Sequence, residues 1–353
     1  MHVTEIAVLA EYGLAGQALK ATEFGNGLIN STWKVESDRG NYILQKVNNA
    51  VFKDPLAIDA NIAMIASFVA KHHPDYFFVA PVALPNGKTI LQKDDNTFYR
   101  LTPFVKGSHS KNVADTAEDA YEAARQFGKF THLLNGIDIQ KIQVTIPSFH
   151  DLSLRYQQFV EAVQHGNAAR IKESAALIKH LTSLAHVTAT YEKICRDQSF
   201  KLRVTHHDTK ISNVLFNDEG NAICVIDLDT VMPGYFISDV GDMMRTYLAP
   251  VSEEENDFDK IEVRDDFYRA IEEGYLADMR QDLSIAERKH FFYAGVFMVY
   301  MQAIRFLTDH LNNDVYYGAR YPGHNFVRAG NQLTLLQRLL EKEELLAGKK
   351  LLV

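Results

Sequence analysis

The chain has little of what marks a secreted, a membrane-inserted or a nucleic-acid-binding protein. Its 353 residues contain two cysteines, Cys195 and Cys224. So few thiols exclude a disulfide framework and suit a reducing compartment. Cys224 lies in the apolar run AICVI and reads as a buried, inert thiol. No block of lysine and arginine occurs and the formal net charge is −8, which excludes nucleic acid as the main partner. The opening MHVTEIAVLAEYGL carries an early glutamate and no basic stretch, so it does not read as a secretory signal. The most apolar segment, 291–307, is broken by Gln302 and Arg305. It reads as a core helix, too short to span a bilayer comfortably. A cytoplasmic protein without a membrane partner is therefore expected. Internal repeats and low-complexity segments are also lacking, and the sequence leaves the oligomeric state open.

What is present is globular. Hydrophobic residues make up 46% of the chain, and the length suits two packed lobes. Residues 3–20 read as a helix. A glycine-bearing turn at 23–27 leads into a strand, and the turn signal at 38–41 leads into a second strand at 42–47. Ile62, Ile65, Ala66 and Val69 recur at helical spacing within 59–71. Three more strands are expected at 78–83, 89–92 and 98–104. Beyond residue 105 helices take over, at 116–135, 151–165, 168–183 and 185–197. Short strands at 202–205, 213–216 and 222–227 interrupt them. Helices return from about 238, with long ones at 286–311 and 325–347. The pattern predicts an α+β fold of two lobes: a small N-terminal mixed-sheet lobe (1–105), a hinge near 102–107, and a large, mainly helical lobe (106–353). A ligand is expected in the cleft between them.

The densest chemistry lies in RVTHHDTKISNVLF (203–216) and the following VIDLDTVMPGYFISDVGDMMR (225–245). His206-x-Asp208, then Asn213, then Asp227 after an apolar run combine one possible base with two hard-cation ligands on the ends of short strands. A lone H-x-D is weak; the full set followed by a strand-end aspartate is specific. Phosphoryl transfer needs this set, because it rests on placing an acceptor oxygen and neutralising phosphate charge. Asp208 can orient and deprotonate an acceptor hydroxyl; the plain alternative is a turn-capping aspartate. Asn213 and Asp227 offer oxygens to magnesium, which keeps several waters. Otherwise they are a turn amide and a strand-end turn former. His206 reads as a brace for the loop. Asp239 either braces the same loop or caps a helix. Lys210 either balances charge on the transferring phosphoryl group or faces solvent. Gly25-Asn26-Gly27 can bring backbone amides to phosphates, or form an ordinary hairpin turn. Arg305, alone in an apolar helix, needs a partner: a substrate oxygen, or an internal carboxylate such as Asp229 or Asp309. Tyr316 and Tyr317 can stack on a sugar face or serve as packing. The acidic run 252–257 reads as a solvated loop.

These residues resemble the kinase-like aminoglycoside phosphotransferase and choline kinase superfamily, and within it the bacterial N-acetylhexosamine 1-kinases. The likeness runs through GNGLINSTWKV (25–35), YILQKVN (42–48), RVTHHDTKISNVLF (203–216), IDLDTVMPG (226–234) and IRFLTDHLNNDVYYGARYPGHN (304–325). It implies ATP and magnesium as cofactors, Asp208 as the catalytic carboxylate, and Asn213 and Asp227 as metal ligands. Arg305, Tyr316 and Tyr317 belong to the implied sugar pocket, with Asp208 and Asp229 also on the acceptor side. Gly25, Asn26, Gly27, Gln45, Lys46, Thr102 and Phe104 are the implied nucleotide contacts. Two departures stand out. The third-strand position that carries a basic residue in kinases of this fold is Gln45, with Lys46 one step on and so on the other face. As part of the same departure the helix at 59–71 lacks a central glutamate; the second departure is the glycine turn, which offers only Asn26 as a polar side chain. The implied reaction is phosphorylation of N-acetylglucosamine or N-acetylgalactosamine at the anomeric C1 hydroxyl. The alternatives are a kinase for choline, an aminoglycoside or another small alcohol, and an inactive nucleotide-binding regulator.

Overall fold

A computed structural model describes residues 3–14, 19–25, 30–94 and 96–348. The chain forms two compact units. The first comprises residues 1–109, 133–147 and 215–233, and the second 110–132, 148–214 and 234–353.

In the first unit, helix α1 (Val3–Leu9) runs into a wider turn over Ala10–Leu14, where Gly13 takes φ 77°. The helix expected over 3–20 is thus shorter: residues 15–18 lie outside the described residues, and strand β1 (Lys20–Glu23) already begins at residue 20. Strands β2 (Ser31–Ser37) and β3 (Gly40–Val47) follow, then helix α2 (Pro55–His72), β4 (Ile90–Asp94) and β5 (Thr97–Pro103). The five strands form one antiparallel sheet in the order β1-β2-β3-β5-β4. Helix α2 starts where Asp54 accepts from the Ala57 amide at 3.0 Å and Pro55 fixes the first helical φ. Its Ile58, Ile62, Ile65 and Val69 are buried. The strand expected at 78–83 does not form. Pro81 lacks an amide donor, and the segment makes only isolated contacts, such as the Val82 amide to Leu101 O at 2.7 Å.

After the short strand β6 (Ser108–Ser110), the chain builds α3 (Ala117–Leu133), α4 (Leu152–His165), α5 (Ala168–Glu173), α6 (Ala175–Ser183) and α7 (His186–Arg196). Then come β7 (Arg203–Thr205), β8 (Val214–Asn217), β9 (Ala222–Val225) and β10 (Met232–Gly234). Helices α8 (Phe236–Tyr247), α9 (Asp265–Met279), α10 (Ile285–Lys289), α11 (Phe291–Leu311), α12 (His324–Glu341) and α13 (Glu343–Ala347) complete it. Three expected helices are each split in two, at Ser174, His290 and Lys342.

Helix α11 is the centre of the second unit. It is the one described helix long and apolar enough to cross a membrane, but 83% of that stretch is buried in the fold. Its 21 residues correct the expectation that the segment is too short to span; burial makes it a core helix. Gly241 of α8 lies against it so closely that a Cβ there would come within 2.4 Å of Ala294 O. A glycine therefore sets the spacing of these two helices.

Candidate functional site

The loop that carries the expected catalytic residues belongs to the second unit. It leaves β7 at Thr205, and two buried carboxylates of α8 hold it. Asp239, in the first turn of that helix, accepts from the amides of His206 (3.0 Å) and His207 (2.7 Å). Burial pushes the Asp239 carboxyl up to about 6, against the pull of those two amides. One turn on, Asp242 accepts from the Thr209 amide at 2.8 Å. The Tyr247 hydroxyl donates to Thr209 O. A loop with four such tethers presents its remaining side chains in fixed directions.

Asp208 is one of those side chains and is partly exposed. Lys210 Nζ lies 3.2 Å from Asp208 Oδ2, so these two expected catalytic residues form an ion pair at the surface of the loop. The third, His206, is fully buried, with its ring edge-on to Phe127 (5.1 Å between centroids) and near Phe130. That environment suits a brace rather than a proton carrier. Asn213 is buried at the start of β8, and its amide nitrogen donates to Asp208 O at 2.8 Å. Its amide oxygen remains as the acceptor end.

The acceptor-side candidates Arg305, Tyr316 and Tyr317 also meet in the second unit. Asp309 builds their loop by accepting from the amides of Tyr316 (2.7 Å) and Tyr317 (2.9 Å) and from Asn325 (3.1 Å). Arg305 donates to Gln302 Oε1 (3.3 Å) and the Tyr316 hydroxyl (3.4 Å), and its guanidinium lies 5.5 Å from the Tyr317 ring centre. It has no carboxylate partner among the described residues. The internal pair with Asp229 or Asp309, weighed from the sequence, does not form. The acidic run is a loop with Ser252, Glu254, Asn256 and Asp257 exposed, as expected, and its glutamates have basic partners. Glu253 pairs with Arg245 (2.7 Å) and Arg328, Glu254 with Arg320 (2.7 Å), and Glu255 with Lys260 (3.6 Å). Neutralised carboxylates cannot form a cage for a cation.

In the first unit, Asp227 lies two residues past the end of strand β9, shorter than the expected 222–227, in a left-handed conformation (φ 59°, ψ 61°) and exposed. The turn after it is anchored on every side. Asp229 is 1% exposed, and both its oxygens are taken, Oδ1 by Arg100 (2.6 Å) and Oδ2 by Asn30 (2.8 Å). The Asn61 side chain of α2 donates to Val231 O at 3.2 Å. Asp229 is thus an ion-pair partner of Arg100. Its cation is one the sequence reading missed. Arg100 on β5 stands directly opposite Gln45 on β3 and donates to Gln45 Oε1 at 2.9 Å. The signal was available, as one arginine among apolar residues in FYRLTP; the strand pairing was not. Lys46 is exposed, in register with Tyr99. Gly25 takes φ 79°, while Asn26 and Gly27 lie outside the described residues. Phe104 packs edge-on against Phe24 (5.9 Å) beneath Lys34, and Thr102 is half-buried on β5.

Comparison with known proteins agrees with this chemistry. The profile of the phosphotransferase enzyme family matches residues 20–282. Among solved structures, an aminoglycoside phosphotransferase from Alicyclobacillus acidocaldarius aligns at TM-score 0.65 and 13% identity, over 98% of this chain and 97% of that one. A microcompartment-associated aminopropanol kinase aligns at 0.65 and 14%, over 98% of each chain. A spectinomycin phosphotransferase solved with ADP and spectinomycin aligns at 0.55 and 13%, over 94% of this chain and 98% of that one. At these identities the structural likeness shows the fold, which is the two-lobed, kinase-like one.

Proposed function

The chain belongs to the phosphotransferase enzyme family, and on that premise we propose that it transfers the ATP γ-phosphoryl group to the anomeric C1 hydroxyl of an N-acetylhexosamine. The observation that carries the choice of acceptor is Arg305. It is a cation beside two tyrosines with no carboxylate partner among the described residues, while Glu253, Glu254 and Glu255 are each matched by a base. Choline or an aminoglycoside brings positive charge and asks for open carboxylates or an aromatic cage. A neutral sugar instead offers hydroxyl and N-acetyl carbonyl oxygens to the Arg305 donors, and an apolar face to Tyr316 and Tyr317.

Asp208 orients the acceptor hydroxyl and takes its proton as the new P–O bond forms. Lys210, now paired with Asp208, balances charge on the phosphoryl group. Asn213, with its amide nitrogen committed to Asp208 O, offers an oxygen, and Asp227 an exposed carboxylate. Each is a hard oxygen donor of the kind magnesium takes, and we assign both residues to it. When bound, the metal neutralises phosphate charge. Nucleotide binding, seen in the ADP complex of the spectinomycin enzyme, is assigned to the first unit with Gly25, Phe104 and Thr102.

An acceptor panel tests the reading: N-acetylhexosamines, free hexosamines, hexoses, choline and aminoglycosides, with product mapping by NMR. C1 phosphorylation of an N-acetylhexosamine is expected; preferred turnover of choline or an aminoglycoside would sink it. Asp208→Asn keeps shape and removes the charge, so kcat should fall by on the order of 100-fold or more with Mg-ATP affinity retained.

A further inference from the structure

We propose that His207 and His150 form a positioning pair that aims Asp208. The inference rests on the reading of Asp208 as the catalytic carboxylate. Five non-glycine residues in the described chain take positive φ: Ser148, His207, Asp227, Asn313 and Asp314. Four have short polar side chains. His207, at φ 65°, is the only ring among them, and it immediately precedes Asp208. A left-handed residue with a Cβ is strained, and such strain persists only where the surroundings enforce it.

The surroundings do so from every side. The His207 amide donates to Asp239. Its ring is buried, with Nε2 2.8 Å from Thr205 Oγ1 and Nδ1 3.4 Å from His150 Nδ1. Below it lies Gly234, where a Cβ would come within 2.4 Å of the His207 ring. His150 is held in turn by stacking on Phe149, at 4.4 Å and 15° between planes. Two Nδ1 atoms that face each other hold one proton between them, so one ring donates and the other accepts. Burial, and then the neighbouring His207, Arg305, Arg245 and Arg155, hold His150 well below the usual histidine range. His150 is therefore a neutral partner in this contact. Glycine would satisfy the backbone at 207 without strain. What the imidazole adds is a fixed ring, and through it a fixed 207–208 peptide from which the Asp208 carboxylate departs.

The test is steady-state kinetics with thermal melting of His207→Gly and His207→Asn in the full-length protein. Turnover is followed as ADP release, which registers transfer to sugar or to water alike. If the sugar reading fails, the wild type will lack sugar-stimulated turnover, yet the variant-to-wild-type ratio is still read. His207→Gly empties a buried ring site, so its melting temperature should fall, while kcat falls about 10- to 100-fold with KM for ATP unchanged, the range expected for a misaimed group. His207→Asn, which tolerates left-handed backbone and keeps a side-chain amide, should recover part of the loss. A His207→Gly variant within about twofold of wild-type kcat overturns the proposal. So does one whose lower melting temperature accompanies equal losses in kcat and in both KM values. Should His207→Gly fail to fold, His150→Gln is read instead: a kcat loss of the same order supports the pair, and an unchanged kcat refutes it.

Discussion

Asp239 accepts from two amides of the loop that carries Asp208 with one buried carboxylate, so its protonation state governs how firmly that loop is held. Its folded pKa, about 6, lies above the ordinary 3.8. The folded chain therefore binds this proton more tightly than the unfolded chain does. The contribution of this group to stability is full below about pH 4, is lost as pH rises towards 6, and is flat above that. Activity runs the other way, because the protonated form puts a hydrogen where an amide donates. We expect kcat to drop as pH falls through about 6 while the melting temperature does not fall in step; a flat kcat profile from pH 7.5 to 5 would count against it. Arg305 gives a second test at this scale. Arg305→Ala should cost about 1.5–3 kcal/mol in transition-state binding, or about 10- to 150-fold in sugar kcat/KM, and leave KM for ATP near wild type. Because no described carboxylate is orphaned, the melting temperature should hold. Equal losses for both substrates would return Arg305 to the scaffold.

Between elements, the decisive link is Arg100 of β5 to Asp229 in the turn after β9. The pair is almost fully buried, with 5% and 1% of its side chains exposed. Removing one member leaves an uncompensated charge, which costs about 3–5 kcal/mol, whereas replacing both by apolar groups is often neutral. Arg100→Leu should accordingly lower the urea midpoint sharply, and the double variant with Asp229→Leu should recover much of the loss. If the single variant is as stable as wild type, the turn that carries Asp227 is held by Asn30 and Asn61 alone. The same link answers a question the sequence raised. The cation absent from the third strand is present one strand over, at the register position of Gln45.

For the whole molecule, the unit boundary cuts the chain several times. The first unit joins residues 1–109 with 133–147 and 215–233. Asn61 needs Gln143 (2.8 and 2.9 Å) and Val231, and Arg100 needs Asp229. A fragment of residues 1–109 would bury Arg100 without its carboxylate, so it should fail to fold cooperatively on its own. Circular dichroism and amide dispersion in NMR check this; a fragment with a sharp melt would show that the sheet is self-sufficient.

The sequence by itself determined the family, the two-lobed α+β plan and most of its strands and helices, because these rest on local signals. Periodicity marked α2, α3 and α11, turn residues marked the β2–β3 hairpin, and the spacing from His206 to Asp227 marked the chemistry. Tertiary structure decided which polar group meets which. Asp229 was free to pair with Arg305 on paper, and strand register gave it to Arg100. The acidic run is a solvated loop, and the fold brought Arg245, Arg328, Arg320 and Lys260 to its glutamates. His207 was one letter of a motif until its left-handed backbone and its contact with His150, 57 residues away, came into view. Periodicity is written in neighbouring residues, whereas the partner of a buried charge or ring is set by pairings between distant segments that no local pattern encodes.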